Sequence, residues 1–188
     1  SQNDTLLGGT GDDFLRGGKG SDSIDGGGGG DTASYDDHSE DVDANLQTDK
    51  GVTGNDVDDL VAIEHLIGGS GNDKLTGDGG DNRLTGGRGS DTLIGGGGND
   101  TASYADHNVK VEANLTTGAA TATQTNGTVD QDVLTDINNL IGGSQDDTLI
   151  GNDNANVISG GTGNDTIVGL GGDDTLRGGA GQDRDRKS

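Results

Sequence analysis

Residues 142–183 read GGSQDDTLI GNDNANVIS GGTGNDTIV GLGGDDTLR GGAGQD, a nine-residue unit Gly-Gly-x-Gly-x-Asp-x-U-x in which U is apolar. The same unit recurs upstream as GGSGNDKLT, GDGGDNRLT, GGRGSDTLI and GGGGNDTAS from Gly68, and as GGTGDDFLR, GGKGSDSID and GGGGGDTAS from Gly8. The chain opens in the middle of a further unit, with Asp4 and Leu6 in place. Twelve full units in strict register form three blocks, 1–34, 68–103 and 142–186. A fixed short period of this kind marks a solenoid, in which each unit buries its apolar residue only by stacking on its neighbours.

Two segments of 33 and 38 residues, 35–67 and 104–141, separate the blocks and resemble each other. TASYDDH matches TASYADH, VDANL at Val42 matches VEANL at Val111, and LVAIEHLIGGS from Leu60 matches LTDINNLIGGS from Leu134. Val42, Ala44 and Leu46, like Val111, Ala113 and Leu115, alternate with polar residues and read as a strand buried on one face. Each insert is close in length to four units, so the chain is expected to form one continuous roll over 1–188 with irregular inserted rungs.

Composition leaves this roll short of folding energy. Only 26% of the residues are hydrophobic, with two Tyr, one Phe and no Trp or Met, while 40 glycines raise the entropy of the unfolded chain. Ordering each residue costs about 1–2 kcal/mol of backbone entropy. A formal charge of −23 adds self-repulsion to any compact state. Bound cations are the remaining source of stability. The same charge argues against nucleic acid as a partner, because such binding rests on Lys and Arg meeting phosphates. Cys is absent, which excludes disulfides and thiolate metal sites, and no apolar run reaches the length of a membrane span. The segments 1–7 and 184–188 read as cuts through a longer protein.

The spacing points to calcium. The first six positions of a unit form a turn whose glycines let carbonyl oxygens face inward, position six supplies a carboxylate, and the last three positions make a short strand. An all-oxygen set suits calcium and offers no soft or imidazole donor. Two units make one coil, so units 18 residues apart stack about 4.8 Å apart. Two stacked turns together reach the 6–8 oxygens calcium requires. The expected pairs are Asp4 with Asp22, Asp13 with Asp31, Asp73 with Asp91, Asp147 with Asp165 and Asp165 with Asp183. Asn82 with Asp100 and Asn156 with Asp174 replace one carboxylate by an amide and are expected to be weaker. The carbonyls of Gly9, Gly11, Gly18, Gly20, Gly69, Gly71, Gly87, Gly89, Gly161, Gly163 and Gly172 are candidate co-ligands. The pairing gives about seven calcium ions, and more if Asp36, Asp37, Asp56, Asp58 and Asp59, or Asp106, Asp130, Asp132 and Asp136, complete sites in the inserts.

This nonapeptide resembles the haemolysin-type calcium-binding repeat of RTX (repeats-in-toxin) proteins, and 142–183 is similar to the C-terminal rolls of serralysin-type secreted proteases. The resemblance implies an all-β, right-handed parallel β-roll of two sheets with calcium in the turns. It also implies export by type I secretion machinery from a Gram-negative bacterium and folding in external calcium. The sequence departs from the pattern at Asp185, which occupies an apolar position so that the last unit is expected to fray, and at Gln145 and Gln2, which replace turn glycines.

No catalysis is expected from these residues. His38 and His107 occupy equivalent places in the duplicated TASYxDH segment, as do Tyr35 and Tyr104, and a repeated structural role accounts for them; His65 stands alone. Neither His-Glu-x-x-His nor Gly-x-Ser-x-Gly occurs, and the glycine turns lack a phosphate-binding Lys-Ser/Thr. The expected role is a binding and structural module. The alternatives are the noncatalytic tail of a secreted hydrolase or polysaccharide-modifying enzyme, whose catalytic domain lies outside the sequence, and a segment of an adhesin or surface layer. Thr10 and Thr162 alone do not make the threonine ladder of an ice-binding face.

Overall fold

In the computed structural model, which describes residues 2–187, the chain is all β, built as two facing and mostly parallel sheets of 13 and 8 strands. Ser1 and Ser188, at the two segments read as cut ends, lie outside the described residues. Successive repeat strands alternate between the sheets, so the chain coils as a two-sheet β-roll. Strands of the repeat blocks pair in parallel with a register of 18 residues: Leu6 faces Ile24, Leu75 faces Leu93, Leu149 faces Ile167 and Ile158 faces Leu176.

The apolar residue of each unit points between the sheets. Ile24, Ala33, Leu75, Leu84, Leu93, Ala102, Leu149, Ile158 and Ile167 are fully or almost fully buried there, and Leu6 and Leu176 pack against them from the ends. The core is therefore a ladder one side chain wide per strand. Every third residue of a three-residue strand is all that burial has to work with. Asp185 stands exposed opposite Ile167, yet Arg184–Arg186 pairs along Thr166–Val168, so the last unit forms an edge strand rather than fraying.

Each insert adds three strands to the larger sheet and one to the smaller. After Thr32–Ser34 in the smaller sheet, the chain crosses to the larger one and makes a three-stranded antiparallel meander, Val42–Asn45, Lys50–Thr53 and Asp56–Val61. The meander joins the roll in parallel on both sides, Ala44 facing Leu75 and Leu60 facing Ile24. Val111–Asn114, Ala119–Thr123 and Val129–Thr135 repeat this arrangement, with Ala113 facing Leu149 and Leu134 facing Leu93. The alternation seen at Val42 and Val111 thus belongs to strands with one buried face, but reversal of the middle strand is not visible in the repeat spacing. The chain then returns to the smaller sheet through a shortened turn, since Leu60 and Leu66 are six residues apart where the repeat has nine.

Candidate metal centre

The position-six acids line the two edges of the roll, and their side chains link one coil to the next. In each stacked pair the Oδ1 of the later residue accepts the backbone N–H of the residue 18 earlier. Asp4 donates to Asp22, Asp13 to Asp31, Asp73 to Asp91, Asn82 to Asp100, Asp147 to Asp165, Asn156 to Asp174 and Asp165 to Asp183, all at 2.8–3.0 Å. All seven pairs read from the sequence are therefore neighbours. The N–H of position seven donates to the carbonyl of the same earlier residue, as Thr92 does to Asp73 at 2.7 Å, so each acid is held at a fixed depth.

The second oxygen of these acids has a different fate. Oδ2 of Asp13, Asp22, Asp31, Asp91, Asp100 and Asp165 is buried with no hydrogen-bond partner. An unpaired buried carboxylate oxygen costs several kcal/mol unless something positive meets it. Burial pushes Asp73, Asp100, Asp147 and Asp165 above the usual carboxylate range. Asp91 is pushed up to about 8, by burial first and then by the charges of Asp132, Asp73 and Asp130.

Backbone oxygens gather at the same place. A Cβ on the first glycine of a unit would run into the carboxylate of its own position six and the first carbonyl of the next turn, as at Gly8 with Asp13 and Gly26, or at Gly142 with Asp147 and Gly160. Position one is glycine in all twelve units for this reason. In the later turn of a pair, positions two and four are left-handed, for example Gly27 at φ 94°, Gly29 at 146°, Gly87 at 92° and Gly89 at 113°. They sit directly over the carbonyls of positions two and four of the earlier turn: Gly9 and Gly11, Gly69 and Gly71, and Gly161 and Gly163. Leu170 takes the same left-handed conformation at φ 70°. Carbonyls of the earlier turn, the first carbonyl of the later turn and position-six side-chain oxygens thus gather where two turns stack. The set is hard, all-oxygen and anionic, which fits calcium.

Some sequence expectations need adjusting. Gly18, Gly20, Gly87 and Gly89 are followed on their edge by insert segments rather than by a repeat turn, and Gly172 lies in the last described turn of its edge, so no repeat turn faces their carbonyls. First-position carbonyls, and those of non-glycine residues such as Asp78, Gln145 and Asn154, face the next turn as well. Attention to glycine alone misses them, although the 18-residue stacking itself is the signal that would have found them.

The turns directly after an insert are built differently. In 68–73, 77–82, 142–147 and 151–156, position two is not left-handed, and its N–H donates to the position-six oxygen of the same turn: Gly69 to Asp73, Asp78 to Asn82, Gly143 to Asp147 and Asn152 to Asn156. Asn82 and Asn156 also turn their Nδ2 toward the preceding coil, donating to the carbonyls of Glu64 at 2.9 Å and Asn138 at 2.7 Å. The backbone is reversed there because Glu64 and Asn138 spend their own N–H on Asp31 and Asp100 carbonyls, leaving a C=O where other coils present an N–H. The amide therefore matches the group beneath it. The Oδ1 of Asn82 and of Asn156 lies where the other units place a carboxylate oxygen, beside the first carbonyl of the following turn, Gly95 or Gly169.

Within the inserts, Asp58 and Asp132 serve as position-six residues, accepting the N–H of Asp22 and Asp91 at 2.8 and 2.9 Å. Glu64 and Asn138 do the same for Asp31 and Asp100, and sequence reading missed both. The signal was present: Asp58 to Leu60, Glu64 to Leu66, Asp132 to Leu134 and Asn138 to Leu140 all keep the Asp-x-U spacing. Asp36 pairs with Arg16, Asp59 with Lys50, Asp37 with His38 and Asp106 with His107. Asp56 accepts the N–H of Gly20. Tyr35 and Tyr104 are buried beside Asp58 and Asp132, edge-on to His38 and His107. No group of three or more His, Cys, Asp or Glu side chains alone forms a metal site among the described residues, and no helix is long and apolar enough to cross a membrane.

A profile of the RTX calcium-binding nonapeptide repeat matches the chain in four copies, at residues 1–33, 66–102, 134–167 and 150–184, together well over half its length. The matched segments include every repeat block and leave out most of both inserts. No curated protein matches the chain.

Proposed function

We propose, since the chain belongs to the RTX calcium-binding nonapeptide repeat family, that it is a module of an exported protein which gains its fold by taking up calcium outside the cell. One calcium ion is assigned to each of the seven stacked pairs, held by position-six side-chain oxygens and by carbonyls of both turns. The observation that carries this reading is the set of six buried, unpartnered carboxylate oxygens, four of which, on Asp13, Asp31, Asp100 and Asp165, lie beside a backbone carbonyl of the following coil.

The energetics agree in scale. Calcium that binds only the folded state stabilises it by mass action, about 1.4 kcal/mol per site at ten times Kd and about 10 kcal/mol over seven sites. That matches the whole stability of an ordinary domain. Extracellular modules bind calcium with Kd of about 10⁻⁴–10⁻³ M, so cytoplasmic calcium would leave the repeats unfolded and ready for type I export. In this reading residues 1–188 act as one continuous roll and perform no catalysis. Far-ultraviolet circular dichroism during calcium titration, with magnesium as control, tests the switch. The β signal is expected to grow mainly with calcium; a full β signal in excess chelator would overturn the proposal.

A further inference from the structure

We infer that each insert, with the two repeat turns that follow it, is a clasp that becomes ordered without calcium, and that the later repeat turns need calcium to stack on it. This rests on the reading of the other turns as calcium sites. The distinction lies in how polar groups are paired. In turns 86–91, 95–100 and 160–165 the acid leaves a buried Oδ2 unpaired. In turns 68–73, 77–82, 142–147 and 151–156 the equivalent oxygen already holds an N–H of its own turn at 2.5–2.8 Å. Asn82 and Asn156 complete the pairing with donors where the backbone beneath offers carbonyls. The position-six side chains of these four turns therefore need no cation to be satisfied, and the turns meet calcium only where a later turn stacks on their carbonyls.

The insert itself is better supplied with folding energy than the repeats. The segment 35–67 buries Tyr35, Val42, Ala44, Leu46, Leu60, Ile63 and Leu66, about twice the density of one inward residue per nine in the repeats. Its strands pair with their immediate neighbours through short connections, Asn45 facing Lys50 and Thr53 facing Asp56, so little loop entropy is lost on closure. Three strands with an apolar face meet the usual minimum for independent order. All six ion pairs among the described residues have at least one partner in an insert, and none joins two repeat residues. The second insert repeats each of these features.

Hydrogen exchange read by mass spectrometry, in chelator and in calcium, tests the inference on the whole chain. In chelator, peptides from 42–61 and 111–135 should exchange at least about tenfold more slowly than those from 8–31, 86–100 and 160–183, and calcium should slow the latter group. Equal, unprotected exchange everywhere in chelator would overturn the clasp and leave calcium-driven folding standing. Protection everywhere in chelator would overturn calcium-driven folding instead. The double variant Asn82→Asp with Asn156→Asp should abolish the insert protection in chelator, whereas Asp100→Asn should leave it unchanged; the reverse result would contradict the assignment.

Discussion

Restoring the repeat consensus at one position should damage this protein. Asn82 stands where nine of the twelve full units and the partial first unit carry Asp before an apolar residue, and a motif-based argument would expect Asn82→Asp to add a calcium ligand. The geometry predicts the opposite. Asn82 is 3% exposed; its Oδ1 accepts the N–H of Asp78 at 2.7 Å and its Nδ2 donates to the Glu64 carbonyl at 2.9 Å. A carboxylate would keep the first contact and turn a second oxygen against that carbonyl. Losing the hydrogen bond and leaving a buried acceptor unpaired costs about 1–3 kcal/mol. In a chain of this size that lowers Tm by about 2–12 °C. Thermal or urea unfolding in saturating calcium measures the loss, and native mass spectrometry should count no additional ion. A variant as stable as the parent, or one that binds an extra calcium, would refute the polarity match between residue 82 and the coil beneath it.

Asp100→Asn, in contrast, removes an orphaned oxygen and should lower the number of bound calcium ions by one in native mass spectrometry, with the other sites retained. Gly68→Ala should destabilise the calcium-bound roll by about 1–3 kcal/mol, because its Cβ meets the Asp73 carboxylate and the Gly86 carbonyl, while Gly28→Ala, whose Cβ meets nothing within 4 Å, should fall within about 0.5 kcal/mol of the parent. The pH dependence follows from Asp91, pushed up to about 8 by burial and then by neighbouring carboxylates. A raised folded pKa means the metal-free fold gains from the proton fully below the unfolded value near 4 and loses that gain as pH rises toward 8. Calcium should therefore displace protons at pH 7, detectable by pH-stat titration, and its apparent affinity should fall between pH 8 and pH 5.

Much of this architecture is legible in the sequence because a nine-residue period fixes three things together: the inward Leu or Ile at position eight, the acid at position six and the 18-residue step between stacked turns. Those features depend only on counting. What counting does not reveal is context from the coil beneath. Gly69 and Gly71 carry the consensus residues yet are not left-handed, because the turn below them belongs to an insert and Asp73 is capped by the N–H of Gly69. The bond from Asn82 to the Glu64 carbonyl was hidden for the same reason, because it is set by a shortened turn whose backbone polarity no single-residue reading gives. The antiparallel meanders were hidden likewise. Their strands alternate as any half-buried strand does, and direction is decided by the tight connections at 46–49 and 115–118 rather than by the apolar pattern.

The central claim is that cations belong between repeat turns 18 residues apart. Anomalous scattering from crystals grown in calcium locates them directly. Peaks are predicted between all seven pairs from Asp4/Asp22 to Asp165/Asp183, with no peak between 62–64 and 77–82 or between 136–138 and 151–156. Peaks at those two junctions, or an empty position between Asp73 and Asp91, would contradict the account.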